Sequence, residues 1–199
     1  VLFRSSCKDA LKRKEPIVLK TISLIVVIAL AVLLAYAATR PDTFRVERQT
    51  TIQAPRDRIF AYLQDFHKWG EWSPWEKLDP AMKRTFSGTA SGKGAVYAWE
   101  GSGKAGAGRM EVLDAQQPAK LVIQLDFIKP FEGHNTAEFT LQAPGGSSGG
   151  AAQTAQVNWV MYGPAPFVSK LMGVFFNMDT LIGTDFESGL ANLKQISEK

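Results

Sequence analysis

Apolar and polar positions along the chain fall into three regimes. Residues 21–39, TISLIVVIALAVLLAYAAT, carry no charged side chain. A soluble helix keeps a polar stripe, and this run has none, so the pattern predicts a membrane-spanning helix. At ~1.5 Å per residue it reaches about 28 Å, close to the ~30 Å hydrocarbon core of a bilayer. Beyond Arg40-Pro41 the period drops to two: Phe44, Val46 and Ile52 stand among polar neighbours in TFRVERQTTIQ, residues 43–53. Ala54-Pro55 then opens a short helix with Ile59, Phe60 and Leu63 on its apolar face. A second short helix is expected from Phe66 to Trp72, stopped by Pro74.

Strands are predicted next at about 82–87, 94–101, 107–115, 120–129, 134–142 and 154–162. Leu121, Ile123, Leu125 and Phe127 alternate along one, and Ala137, Phe139 and Leu141 along the next. Breaks containing Gly or Pro separate them, which marks an antiparallel meander. The widest, PGGSSGGAAQ at 144–153, reads as a flexible hairpin loop. The third regime starts at Leu171. Phe175, Met178, Ile182, Phe186, Leu190, Leu193 and Ile196 recur in steps of three and four, the α-helical period. One long amphipathic helix is expected there, laid against the sheet. The order predicts an α+β fold: a curved antiparallel sheet gripping a long C-terminal helix, preceded by a transmembrane helix. A sheet bent round a helix does not close along its whole length, so a hollow suited to an apolar ligand is expected between them.

Charge adds an orientation. The net charge is +4, and Lys8, Lys12, Arg13, Lys14 and Lys20 precede the apolar run. The positive-inside rule places residues 1–20 in the cytoplasm and residues 40–199 outside a bacterial cytoplasmic membrane, although Arg40, Arg45 and Arg48 weaken the bias. The rival is a cleaved secretory signal with Ala35-Tyr36-Ala37 as its A-x-A site. Such apolar regions usually run ~7–15 residues, so an uncleaved anchor is favoured. The opening VLFRS resembles a translated sequencing adapter, and the first residues are expected to be non-native. Beyond residue 40 charges of both signs alternate, which excludes a nucleic-acid footprint.

Candidate chemistry is sparse. Cys7 is the sole cysteine, so neither an intramolecular disulfide nor a Cys-rich zinc site is available. The two histidines, His67 and His134, stand at unrelated positions, and no serine or cysteine sits in a recognisable nucleophile setting. No metal or other cofactor is expected. GSGKAG at 101–106 matches G-x-G-x-x-G, but RMEVL continues as a strand where a dinucleotide site needs a helix. It is read as a hairpin turn.

The segments IQAPRDRIFAYLQDFHKWGEWSPWEKLDP (52–80), GAVYAWEG (94–101), GAGRMEVL (106–113), LDFIKPF (125–131), VNWVMYGP (157–164) and MDTLIGTDFESGLANLK (178–194) carry a resemblance. In order and spacing they resemble the START-like, or SRPBCC, superfamily, including its membrane-anchored polyketide cyclase-like members. The resemblance covers about residues 44–197 and implies the helix-grip fold with a ligand cavity. It does not imply cyclase activity, since this fold hosts unrelated functions.

Aromatic side chains supply the candidate site. Trp69, Trp72 and Trp75 stand three apart in WGEWSPWEKLDP. Each buries about 150–250 Å², either as a plug for one end of the core or as a wall of the cavity mouth. Tyr97 and Trp99 share one strand face, and Trp159 and Met161 another. Phe127, Phe139, Phe175, Met178 and Ile182 complete the expected lining. Asp179, at the edge of the helical stripe, is a candidate for orienting a polar group of the ligand; Asp185 and Glu100 are similar. Gly183 and Gly189 are expected to let the helix approach the sheet. The expected partners are a small hydrophobic ligand, lipid or aromatic, and the membrane. Two alternatives stay open: a cyclase- or hydrolase-like enzyme using Asp179, Glu100 or His134, and a non-catalytic interaction module with a filled core.

Overall fold

The computed structural model describes residues 15–143 and 153–199. The basic segment up to residue 14, with Cys7 and the opening residues, lies outside them, as do residues 144–152 of the glycine-serine loop. Helix α1, Glu15–Ala38, contains the apolar run. Among the described residues, Val18–Ala38 is the one span long and apolar enough to cross a membrane, with a mean hydropathy of 2.7. It ends where the Thr39 amide and hydroxyl both donate to the Tyr36 carbonyl.

Two compact units emerge. One comprises α1 together with helix α4, Phe167–Phe175; the other spans Asp42–Ala165 and Phe176–Lys199. The second unit is a seven-stranded antiparallel sheet with helices on one face. Its strands are β1 (Thr43–Ile52), β2 (Lys83–Gly88), β3 (Ala95–Glu100), β4 (Ala107–Gln116), β5 (Lys120–Lys129), β6 (Gly133–Gln142) and β7 (Ala155–Pro164). The order β1-β7-β6-β5-β4-β3-β2 is a meander from β2 to β7, with β1 returning beside β7. Between β1 and β2 the chain forms α2 (Arg56–Leu63), a 3-10 turn at Phe66–Lys68, α3 (Trp69–Trp72) and a second 3-10 turn at Pro74–Lys77. Helix α5, Met178–Ser197, packs on β1, α2 and α3. This is the helix-grip architecture.

Alternation decides which residues point inward. Val157, Trp159 and Met161 of β7, Phe139 and Leu141 of β6, and Leu121 and Ile123 of β5 are all buried on one face. Phe186, Leu190 and Leu193 of α5 meet them. Gly189 sets how closely: a Cβ there would stand 3.0 Å from Cζ3 of Trp159 and 3.2 Å from Cδ of Pro74. At Gly183 a Cβ would collide with the Arg48 guanidinium. The GSGKAG segment is the β3–β4 hairpin turn, where Gly103 and Gly106 adopt φ of 55° and 59°.

The expected single C-terminal helix is two. Asn177 takes an extended conformation (φ −79°, ψ 99°), and its side chain accepts from the Thr180 amide at 3.2 Å, capping α5. Apolar periodicity runs unbroken through this point, but an asparagine that can satisfy a free helical N–H starts a new helix there. Phe175 therefore belongs to α4, not to the gripped helix.

Candidate functional site

The inner face of the sheet has a closed half and a half-open half. Trp159 forms the centre of the closed half. Its ring stacks on Phe186 with centroids 4.0 Å apart and 4° between planes. Phe139 lies 4.8 Å away, and Trp72 and Trp75 meet Trp159 edge-on at 5.6 and 5.5 Å. Trp69 joins through Trp72 at 4.9 Å. Each aromatic contact adds about 0.5–1.5 kcal/mol beyond the area it buries. In the WxxWxxW segment, Trp69 and Trp72 are fully packed inside the grip, and Trp75 turns back to Trp159 and Phe186, its Nε1 donating to Asp185 at 3.2 Å. The Trp72 and Trp159 indole N–H groups are buried with no acceptor among the described residues.

The half-open half lies toward β2 and β3. Register aligns Phe86, Tyr97, Met110, Leu125 and Asn135 across five strands. The next row toward the strand ends is Arg84, Trp99, Gly108, Phe127 and Gly133. Trp99 lies flat over Gly108, where any Cβ would strike the indole ring. It meets Phe127 edge-on at 6.0 Å and stacks with Tyr97 at 6.0 Å, and its Nε1 donates to the Ala105 carbonyl. Trp99, Leu125 and Phe127 remain partly exposed on this inward face, so an apolar surface is available beside the packed plug.

A polar network borders that surface. Glu76 accepts from the Tyr97 hydroxyl at 2.6 Å and from Arg84 Nε at 2.7 Å, and Arg84 also donates to the carbonyls of Glu76 and Met82. Glu76 is only 9% exposed. Burial, then the bond to Glu76, pushes the Tyr97 hydroxyl above its ordinary range, so it stays protonated and donates. The same carboxylate holds the Arg84 guanidinium firmly charged. Both Glu76 oxygens are engaged, which makes the group a clamp on the aromatic surface rather than a free base. Neither Glu76 nor Arg84 was singled out from sequence; the position of Glu76 directly after Trp75 was the available signal. Asn135, nearly buried in the adjoining row, was also missed.

The remaining candidates lie elsewhere. Met161 is buried one row from Asn135, and Ile182 is partly buried on α5. Phe175 and Met178 are exposed. Asp179 is bound by Arg48, with Nη1 at 3.1 Å and Nη2 at 3.0 Å, while Glu187 takes Nε at 2.7 Å. Those bonds from Arg48 hold the Asp179 carboxyl below its ordinary range. Glu100 forms an exposed ion pair with Lys129 at 3.6 Å. His134 is exposed and hydrogen-bonds Asp126 at 2.7 Å. Burial pushes Asp126 up, but bonds from His134 and Gln124 outweigh it and leave the carboxyl lowered. A hollow of about 160 Å³ opens at the β2 edge beside Phe86, lined also by Phe66, His67, Ser87–Ala90, Ala95 and Val96. Among the described residues no group of three or more His, Cys, Asp or Glu could hold a metal ion.

These features coincide with a known family. A sequence model of the family described as polyketide cyclase / dehydrase and lipid transport matches residues 43–198, and the chain belongs to that family. Solved structures share the fold. The di-domain ARO/CYC StfQ from the steffimycin biosynthetic pathway aligns with a TM-score of 0.58 at 10% identity, over 78% of this chain and 51% of its own. A solution structure from Thermobifida fusca gives 0.54 at 17% identity, over 75% of this chain and 90% of its own. Protein CV1439 from Chromobacterium violaceum gives 0.51 at 13% identity, over 80% of this chain and 99% of its own. No curated protein matches this sequence.

Proposed function

We propose that the domain binds a small, largely apolar, ring-containing ligand on the inward surface formed by Trp99, Phe127, Leu125 and Met110, and that α1 anchors it in a bacterial cytoplasmic membrane with the domain outside. The observation that carries the reading is Trp99 itself. A large indole is laid over Gly108 and pinned by Ala105 on the inner face of a gripping sheet, yet it stays partly exposed. Flat aromatic surface of this kind favours offset or edge-on contact with another ring. The family's description, which joins cyclases to lipid transport, supports a ligand of this class. Binding is favoured over catalysis because the neighbouring ionisable groups are engaged with one another: Glu76 with Arg84 and Tyr97, and His134 with Asp126.

The test is calorimetric titration of the full chain in lipid nanodiscs with 2-naphthol, a bicyclic probe, against empty nanodiscs. Wild type is expected to bind saturably. Trp99→Ala and Phe127→Ala are expected to weaken binding about tenfold, or ~1.4 kcal/mol, with small loss of stability. Phe186→Ala, deep in the plug, is expected to cost about 3–5 kcal/mol of stability. Absence of saturable binding, or equal binding by Trp99→Ala, overturns the assignment. For the anchor, a C-terminal reporter enzyme that works only in the cytoplasm is expected to be inactive.

A further inference from the structure

Helix α4 is apolar on more faces than the fold requires. Its sequence is FVSKLMGVF, with Ser169 and Lys170 as its polar side chains. Val168, Met172 and Phe175, at helical positions i, i+4 and i+7, form one stripe and are 55%, 40% and 66% exposed. Lys170, Leu171, Gly173 and Val174 are less exposed, so the helix is partly covered on one side and bare on the other. A helix of nine residues containing a glycine has little stability of its own in water. Something must cover the bare stripe.

The location of α4 indicates what does. It packs against α1 in the same compact unit. Among the described residues of α1, Leu33 and Ala37 are the ones withdrawn from solvent, and they stand one turn apart near its C-terminal end. At that end Arg40 lies over the Tyr36 ring, 5.9 Å from its centroid. An aromatic ring with a cation one turn beyond it marks the level where hydrocarbon gives way to headgroups. A short helix seated there, apolar toward the outside and carrying a lysine, matches a segment lying in the interfacial plane.

We propose that α4 is a second, interfacial membrane contact: it lies along the outer surface of the bilayer with Val168, Met172 and Phe175 sunk to the headgroup–acyl boundary. The occupant of the bare stripe is lipid. This rests on the reading of α1 as an anchor and extends it, because the chain then meets the membrane twice, once before the sheet is built and once after.

The test is site-directed spin labelling of the full chain, in a Cys7→Ser background, reconstituted into vesicles of phosphatidylethanolamine and phosphatidylglycerol. Single labels are placed at Val168→Cys, Met172→Cys and Phe175→Cys, with Val26→Cys in α1 as the reference for the span. Collision with oxygen, which partitions into lipid, is compared with collision with a water-soluble nickel chelate. The expected result is several-fold higher oxygen than nickel accessibility at all three α4 positions, intermediate in depth between Val26 and bulk water. Water-like values on α4 with a lipid-like Val26 overturn the interfacial helix and leave the anchor standing. Shielding of the α4 labels from both reagents also overturns it, in favour of a protein cover. A water-like Val26 overturns the anchor itself and α4 with it.

Discussion

Single side chains in this protein divide into those that hold the aromatic surface and those that hold the helix beside it. Glu76 belongs to the first group. Its carboxylate joins the 3-10 turn at Pro74–Lys77 to β2 through Arg84 and to β3 through Tyr97. Glu76→Gln keeps the shape but leaves the half-buried Arg84 without its counter-charge. The expected loss is about 1–3 kcal/mol, read from the urea midpoint in detergent, with Tyr97 freed to titrate at lower pH. Arg48 belongs to the second group, fastening Asp179 and Glu187 of α5 to β1. Because Asp179's folded pKa is depressed, its contribution to stability is full above the ordinary carboxylate value and disappears as pH falls through the folded value. Melting temperature is therefore expected to fall below about pH 4 more steeply in wild type than in Arg48→Met, and an equal pH profile would refute the link. The pair is exposed, so the difference is small. Trp99 and Phe127 were legible in the sequence because alternation fixes the face on which a strand residue lies. Glu76 and Arg84 were not, since their meeting depends on the cross-strand pairing of Arg84 with Trp99 and of Phe86 with Tyr97. Sequence spacing does not encode that register. Asp179 was legible as a residue at the stripe's edge but not as Arg48's partner, 131 positions away.

Among elements, the strands were the most readable. Observed and expected bounds differ by a residue or two, because glycine and proline breaks punctuate a period-two pattern. The C-terminal region was the least readable. Leu171 to Ile196 satisfies one helical period, and nothing in that period distinguishes a continuous helix from two helices with compatible phase. What separates them is a local competition: the Asn177 side chain satisfies the Thr180 amide and so favours a fresh start over continuation. Asn177→Ala is expected to cost about 1 kcal/mol and to speed hydrogen exchange at the Thr180 amide. Unchanged exchange at that amide would show that the cap does not define the start of α5. The tryptophan segment sits between these extremes. Trp69 and Trp72 of that segment are buried, but which ring packs and which remains available follows from Gly108, Gly189 and the Trp159–Phe186 stack, all of which are tertiary facts.

For the whole molecule, the arrangement is a helix-grip domain whose chain also builds a separate helical unit from two distant segments. Composition and hydropathy revealed the first of these, α1. They concealed the second, α4, because an apolar helix that follows a sheet looks like part of the grip. This pairing bears on processing. A leader peptidase acting at Ala35-Tyr36-Ala37 would need that tripeptide unwound and accessible, yet Ala37 is helical and completely buried. Cutting there would also remove the helix that α4 leans on, stranding an oily fragment in the midst of a secreted domain. Intact-mass measurement of the protein recovered from membranes is therefore expected to show the residues ahead of position 37 still attached, and a mass beginning at Ala38 would reverse that conclusion. On the proposed reading of α1 as the anchor, the late-synthesised helix would act as a retainer: its packing partner lies in the segment that cleavage would remove, so release from the membrane and completion of this helical unit would exclude one another.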